Sequence, residues 1–160
     1  MAFNGDTVLE ESAGLGSGEL VPNMNGLVLA FDTFEDGLIQ GRFCKYDTGS
    51  IDNLDNSATP KIAGITRRLI AGEIGVSTYR STGDIINDVA EVITTGFATV
   101  DVVDGLTPAK YGIAYAVNDV AVPANYGKAS TVSTNNTDSG WVFWKQESAN
   151  VWLVARKELV

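Results

Sequence analysis

The chain has 160 residues, 20 of them acidic and 11 basic, for a formal net charge of -9, and it contains no histidine. That length fits one domain, alone or with an arm. The missing histidine excludes imidazole triads, imidazole metal sites and a histidine pH switch. The single cysteine excludes an intrachain disulfide and a structural zinc cluster, and the acidic balance argues against binding nucleic-acid phosphates.

The N-terminus, Met1-Ala2-Phe3-Asn4-Gly5-Asp6, has no basic segment ahead of an apolar one, so no secretory signal is expected. No apolar run approaches the length of a membrane helix. Asn135-Asn136-Thr137 is a glycosylation sequon, which means little without such a signal. Charge is uneven along the chain. Asp6, Glu10, Glu11, Glu19, Asp32, Glu35 and Asp36 all precede the first base, Arg42, so the first 41 residues carry -7 of the total -9. Gly5, Gly14, Gly16, Gly18 and Gly26 fall in the same region, and glycine weakens helix and strand alike. Residues 1–26 therefore read as an extended acidic arm with apolar anchors at Phe3, Val8, Leu9, Leu15, Leu20 and Val21.

From Leu27 the pattern turns to β, and residues 27–160 read as one β domain. Leu27-Val28-Leu29-Ala30-Phe31 is a strand run, and Asp36-Gly37 is a hairpin-turn signal. A strand over Arg42–Tyr46 follows, then a polar stretch from Asp47 to Pro60 that reads as a long loop. Ile62–Thr66 is the next strand, and Leu69–Ile74 a short helix or turn. Further strands are expected over Asp88–Ile93, Phe97–Val103 and Tyr111–Val117, with Gly96 as a turn or bulge. Asp119–Pro123 reads as a short strand or link, and Lys128–Gly140 as loop. The C-terminus is the clearest hairpin: Trp141–Gln146, a turn at Glu147-Ser148-Ala149-Asn150, and Val151–Lys157. Trp141 and Phe143 share one face, Val142 and Trp144 the other, so this strand should be covered on both sides. Short, regularly spaced strands predict an all-β fold, a small β-barrel or β-sandwich with an extended N-terminal arm.

Few motifs carry chemistry. Asp47-Thr48-Gly49-Ser50 matches the tetrapeptide around the catalytic carboxylate of aspartic proteases, whose two aspartates share one proton. One copy would require a homodimer, and Lys45 breaks the apolar strand that should precede it. The loop from Asp47 to Asn56 is rich in oxygen ligands, but Leu54 falls where a calcium-binding EF-hand needs oxygen. Gly14-x-Gly16-x-Gly18 lacks dinucleotide-fingerprint spacing. Arg67-Arg68 is a basic doublet suited to salt bridges or to the acidic arm of another copy. Cys44 reads as a small buried apolar group. Nothing in the sequence calls for a metal or a cofactor. Trp141, Trp144 and Trp152 are either core residues or an aromatic patch at a partner interface.

The segment Gly41 to Asp55, with Ala58-Thr59-Pro60-Lys61-Ile62-Ala63-Gly64, resembles the capsid decoration, or structural cement, proteins of tailed bacteriophages. Gly96 to Val102, Thr107-Pro108 and Tyr111-Gly112 are similar to a second block of that family. The resemblance spans residues 27–125. It implies a non-enzymatic virion protein, made in the host cytoplasm, that binds the exterior of the phage head. There it would bridge adjacent major capsid subunits and associate with itself, as a trimer in preference to a dimer. On that reading Phe3, Val8, Leu9, Leu15, Leu20, Trp141, Trp144 and Trp152 are the candidate interface residues. The alternatives are the dimeric protease using Asp47 and a carbohydrate-binding β-sandwich with tryptophan platforms.

Overall fold

A computed structural model describes residues 18, 20–21, 26–32, 38–67, 84–85 and 89–160. Among these the strands run β1 (Leu27–Asp32), β2 (Leu38–Ile39), β3 (Phe43–Asp47), β4 (Ser50–Asn53), β5 (Ile62–Thr66) and β6 (Asp84–Ile85). They continue as β7 (Val89–Thr95), β8 (Phe97–Asp101), β9 (Ile113–Val117), β10 (Ala129–Ser130), β11 (Asn136–Ser148) and β12 (Val151–Arg156). Short 3-10 turns lie at Pro123–Asn125 and Lys157–Leu159.

The strands form two antiparallel five-stranded sheets, β1-β7-β5-β3-β4 and β10-β9-β11-β12-β8, plus the small pair β2-β6. Neither sheet closes into a barrel, and the fold is a sandwich. Phe43, Ile65 and Ile93 of the first sheet meet Val100, Trp141, Phe143, Trp152 and Val154 of the second in one buried core. Full burial of each such side chain contributes about 1.5–3 kcal/mol. The first sheet is apolar on its far face too, where Cys44, Ile51, Ala63, Ala90 and Val92 pack with Leu38 and Phe31. Gly96 marks the point where the chain leaves the first sheet at β7 and enters the second at β8. Arg42 ties the layers together: its guanidinium donates to the carbonyls of Ala124 (3.1 Å) and Tyr126 (3.0 Å) and lies 3.8 Å from the Asp101 carboxylate.

Two polar stretches expected as loop are partly strand. The Asp47–Pro60 segment folds back as β4, with Tyr46 opposite Ile51 and Asp47 opposite Ser50. Thr48 (φ +40) and Gly49 (φ +90) make the two-residue turn, and positive φ at both central positions matches the twist of the flanking strands. β11 starts at Asn136, well inside the expected Lys128–Gly140 loop. Its polar first half pairs with β9 through Asn136–Val117, Thr137–Ala116 and Asp138–Tyr115, so backbone ladder bonds hold where apolar alternation is missing. Asp119–Pro123, expected as a strand or link, is a turn leading into the first 3-10 segment. The Asp36-Gly37 turn and the Leu69–Ile74 helix or turn lie outside the described residues.

β5 carries a bulge. Phe43 pairs with Ile65 and Cys44 with Gly64, but Lys45 pairs with Ile62. The extra residue turns Ala63 to the far face while Ile62 and Ile65 both reach the central core. Gly64 sits hard against β7, where a Cβ would collide with the Ile93 carbonyl oxygen and lie 2.8 Å from Val92 Cγ1.

Candidate functional site

The Asp47-Thr48-Gly49-Ser50 tetrapeptide is the β3–β4 turn. Thr48 Oγ1 donates to Asp47 Oδ1 (2.9 Å), and Ser50 Oγ donates to the Asp47 carbonyl (2.8 Å). Turn chemistry thus accounts for all four residues. The carboxylates downstream are spent on the chain itself. Asp52 accepts from the Asn53 amide (2.7 Å), and Asp55 accepts from Lys45 Nζ (2.7 Å) and the Ser57 amide (3.0 Å). Among the described residues no three acidic or cysteine side chains gather in a way that could hold a metal ion.

Of the expected arm anchors, Phe3, Val8, Leu9 and Leu15 lie outside the described residues. Leu20 and Val21 are already docked on the β domain. Leu20 bridges to Ala98, the Gly18 amide donates to the Thr99 carbonyl (2.8 Å), and the Val21 amide donates to the Phe97 carbonyl (3.0 Å). This lines the free edge of β8 with chain from N-terminal of residue 27. Val21 is buried, and Leu20 is half-buried and packs on the central core. The basic doublet is also engaged: Arg67 pairs with Glu91, while Arg68 lies outside the described residues.

The three tryptophans divide. Trp141 is wholly buried and Trp152 nearly so, both inside the sandwich. They are core residues and not surface contacts, because β11 and β12 are interior strands whose inner face meets the first sheet. Trp144 alone of the three stays half-buried on the outer face. It alternates with the inward-facing Phe143 and sits at a register shift between Phe143 and Lys145. Around it stand Phe97 (ring centroids 5.3 Å apart) and Tyr111 (5.4 Å), both edge-on. Lys110 Nζ lies 4.1 Å from the Trp144 ring centre and 5.1 Å from that of Tyr111. Tyr111 is 58 % exposed and holds a left-handed backbone (φ +67). Its amide donates to the Phe143 carbonyl (2.7 Å), which fixes the turn and sets the phenol beside Trp144. Tyr111 and Lys110 are the exposed members of this cluster, and Trp144 and Phe97 are half-buried beneath them. Sequence reading named Trp144 but missed Phe97, Lys110 and Tyr111. The hairpin register that brings Phe97 opposite Ala155, next to the β11 strand, was the missing information.

No protein-family model matches the chain, and no curated protein sequence does. Among solved structures, a chain of the capsid of Myoviridae phage XM1 matches with 47% identity and a TM-score of 0.78, over 100% of both chains. The chain belongs to a family of phage capsid proteins. The blocks that carried the sequence resemblance contribute strands to both sheets of this capsid protein's sandwich: residues 41–64 make β3, β4 and most of β5, and residues 96–102 make β8.

Proposed function

We propose that this capsid protein binds the exterior of a phage head and cements adjacent major capsid subunits, stabilising the expanded shell. The full-length similarity to a phage capsid chain is the observation that carries the reading. The partners are the major capsid protein and further copies of this chain, a trimer in preference to a dimer. Synthesis in the host cytoplasm agrees with a lone, buried thiol at Cys44. Neither nucleic acid nor membrane is a partner on this reading. The activity is one of binding and not of catalysis.

Two features suit the task. The N-terminal sequence is acidic and glycine-rich, and on this reading it clamps a neighbouring subunit. The Tyr111–Trp144–Lys110 patch offers a compact aromatic anchor on the outer face of the second sheet. Repetition over a shell then adds avidity to contacts that are individually modest. Within the segment 1–26 expected as an arm, Gly18, Leu20 and Val21 pair with the β8 edge, so a truncation that tests the arm stops at residue 17. The reading is tested by co-sedimentation of the purified protein with expanded capsids lacking it. Saturation at a fixed ratio to the major subunit is expected. Failure to bind such shells at any concentration overturns it.

A further inference from the structure

A second surface feature lies away from the aromatic patch and is independent of the cementing role. The loops after β4, after β9 and before β11 enclose a cleft of about 410 Å³. Its walls are pinned by one residue, through its side chain and its backbone N–H. Asn118 Nδ2 donates to the Ser57 carbonyl (3.0 Å), Asn118 Oδ1 accepts from Thr137 Oγ1 (3.2 Å), and the Asn118 amide donates to Asn136 Oδ1 (3.3 Å). Three segments distant in sequence are thereby held in fixed relation, the preorganisation that a binding site needs.

The rim supplies the recognition groups. Asn56 and Asn135 are exposed lining residues whose side-chain amides make no hydrogen bond among the described residues. Asn135 holds a left-handed backbone (φ +57) at the lip. Asp119 lines the cleft and accepts from the Ala121 amide through Oδ1 (2.9 Å). Val120, 66 % exposed, adds an apolar edge. An amide donates and accepts at once, and so does a hydroxyl, so converging amides match a ring of hydroxyl groups. A single carboxylate and no basic side chain line the cleft, which disfavours anions such as phosphates. An extended peptide would need pockets for alternate side chains, and this lining is polar apart from Ala58 and Val120. A hydroxylated ring displaces water from such a cleft while reproducing its hydrogen bonds, and its C–H face rests on the valine.

We infer that the Asn118 cleft is a binding site for a neutral saccharide unit, with Asn56, Asn135 and Asp119 as the recognition groups. On a virion such a site would hold the particle to glycan-bearing surfaces. The test is a titration of the isotope-labelled full chain with glucose, galactose, mannose and N-acetylglucosamine, read by amide NMR. Saturable shifts confined to the three loops are expected for at least one sugar. That affinity should fall about tenfold or more in the N56A/N135G double variant, which removes two amides and keeps the left-handed backbone. The inference is overturned by the absence of shifts with every sugar, by shifts that map elsewhere, or by equal affinity in a variant of unchanged melting temperature. Shifts of the cleft by capsid-protein peptides and not by sugars overturn it as well. None of these outcomes depends on whether the protein binds capsids.

Discussion

Lys45 Nζ lies 2.7 Å from Asp55 Oδ2, with the lysine side chain only 8 % exposed and the carboxylate side chain 46 % exposed. The lysine springs from β3, an interior strand of the first sheet, and its partner carboxylate comes from the loop after β4. Ser57 completes the arrangement by donating its amide to the second oxygen of Asp55 at 3.0 Å. Partial burial pushes the Asp55 carboxyl up, but the hydrogen bonds from Lys45 and Ser57 outweigh it and hold the group down at about 2.

Because the folded value lies below the ordinary 3.8, the pair stabilises the fold above that pH, and the contribution is lost as pH falls from 3.8 to about 2. Solvent screening at the half-exposed carboxylate keeps the pair's own share to about 1 kcal/mol. Asp55→Asn should lower stability at neutral pH by about 1–2 kcal/mol, since it also weakens the partner of a buried ammonium. It should also flatten the acid limb of a denaturation-midpoint against pH curve. An unchanged acid limb in the variant would show that the pair is idle.

Trp141 and Trp144 should separate stability from attachment. Trp141→Ala empties a fully buried site and should cost about 3–5 kcal/mol. Trp141→Phe should be far milder, because the buried indole nitrogen has no hydrogen-bond partner to lose. Trp144→Ala gives up two edge-on ring contacts worth about 0.5–1.5 kcal/mol each and should still fold. Chemical denaturation orders the three variants, and co-sedimentation with expanded shells should show the attachment defect in Trp144→Ala.

Cys44 should be inert in the native protein. Burial pushes its thiol up to about 12, against the opposing hydrogen bonds with Thr66 and Gly64. A disulfide-exchange reagent at mildly alkaline pH should leave it unlabelled until denaturant is added. Prompt labelling without denaturant would mean that the β3–β5 region opens readily.

Gly64→Ala should be among the most damaging single-methyl changes in the chain. The added carbon meets the Ile93 carbonyl, a backbone atom of the adjacent strand that cannot rotate aside. Overpacking of this kind costs about 1–3 kcal/mol. A melting temperature equal to that of the parent would show that β5 shifts freely against β7.

Much of this architecture is legible from residue pattern alone. Leu27–Phe31, Ile62–Thr66 and the Trp141 hairpin read as strands because apolar and β-branched residues run together between turn signals. β4 and the first half of β11 do not, because Ser50–Asn53 and Asn136–Gly140 are largely polar and take their place from backbone pairing with β3 and β9. The face alternation of Trp141 and Trp144 is readable, but the register shifts along β11 on either side of Lys145 and Gln146 are not. The saccharide cleft is invisible in sequence for the same reason. Asn56, Asn118 and Asn135 are scattered polar residues until the sandwich brings three loops to one end.

The heat stability of DNA-filled heads tests the central claim most directly. Heads lacking this protein would be compared with the same heads after it is added back, and the temperature of DNA release recorded. Cementing requires release at a higher temperature with the protein bound, and loss of that gain when residues 1–17 are removed from the still-folded chain. Release at the same temperature from fully occupied and bare heads would contradict it.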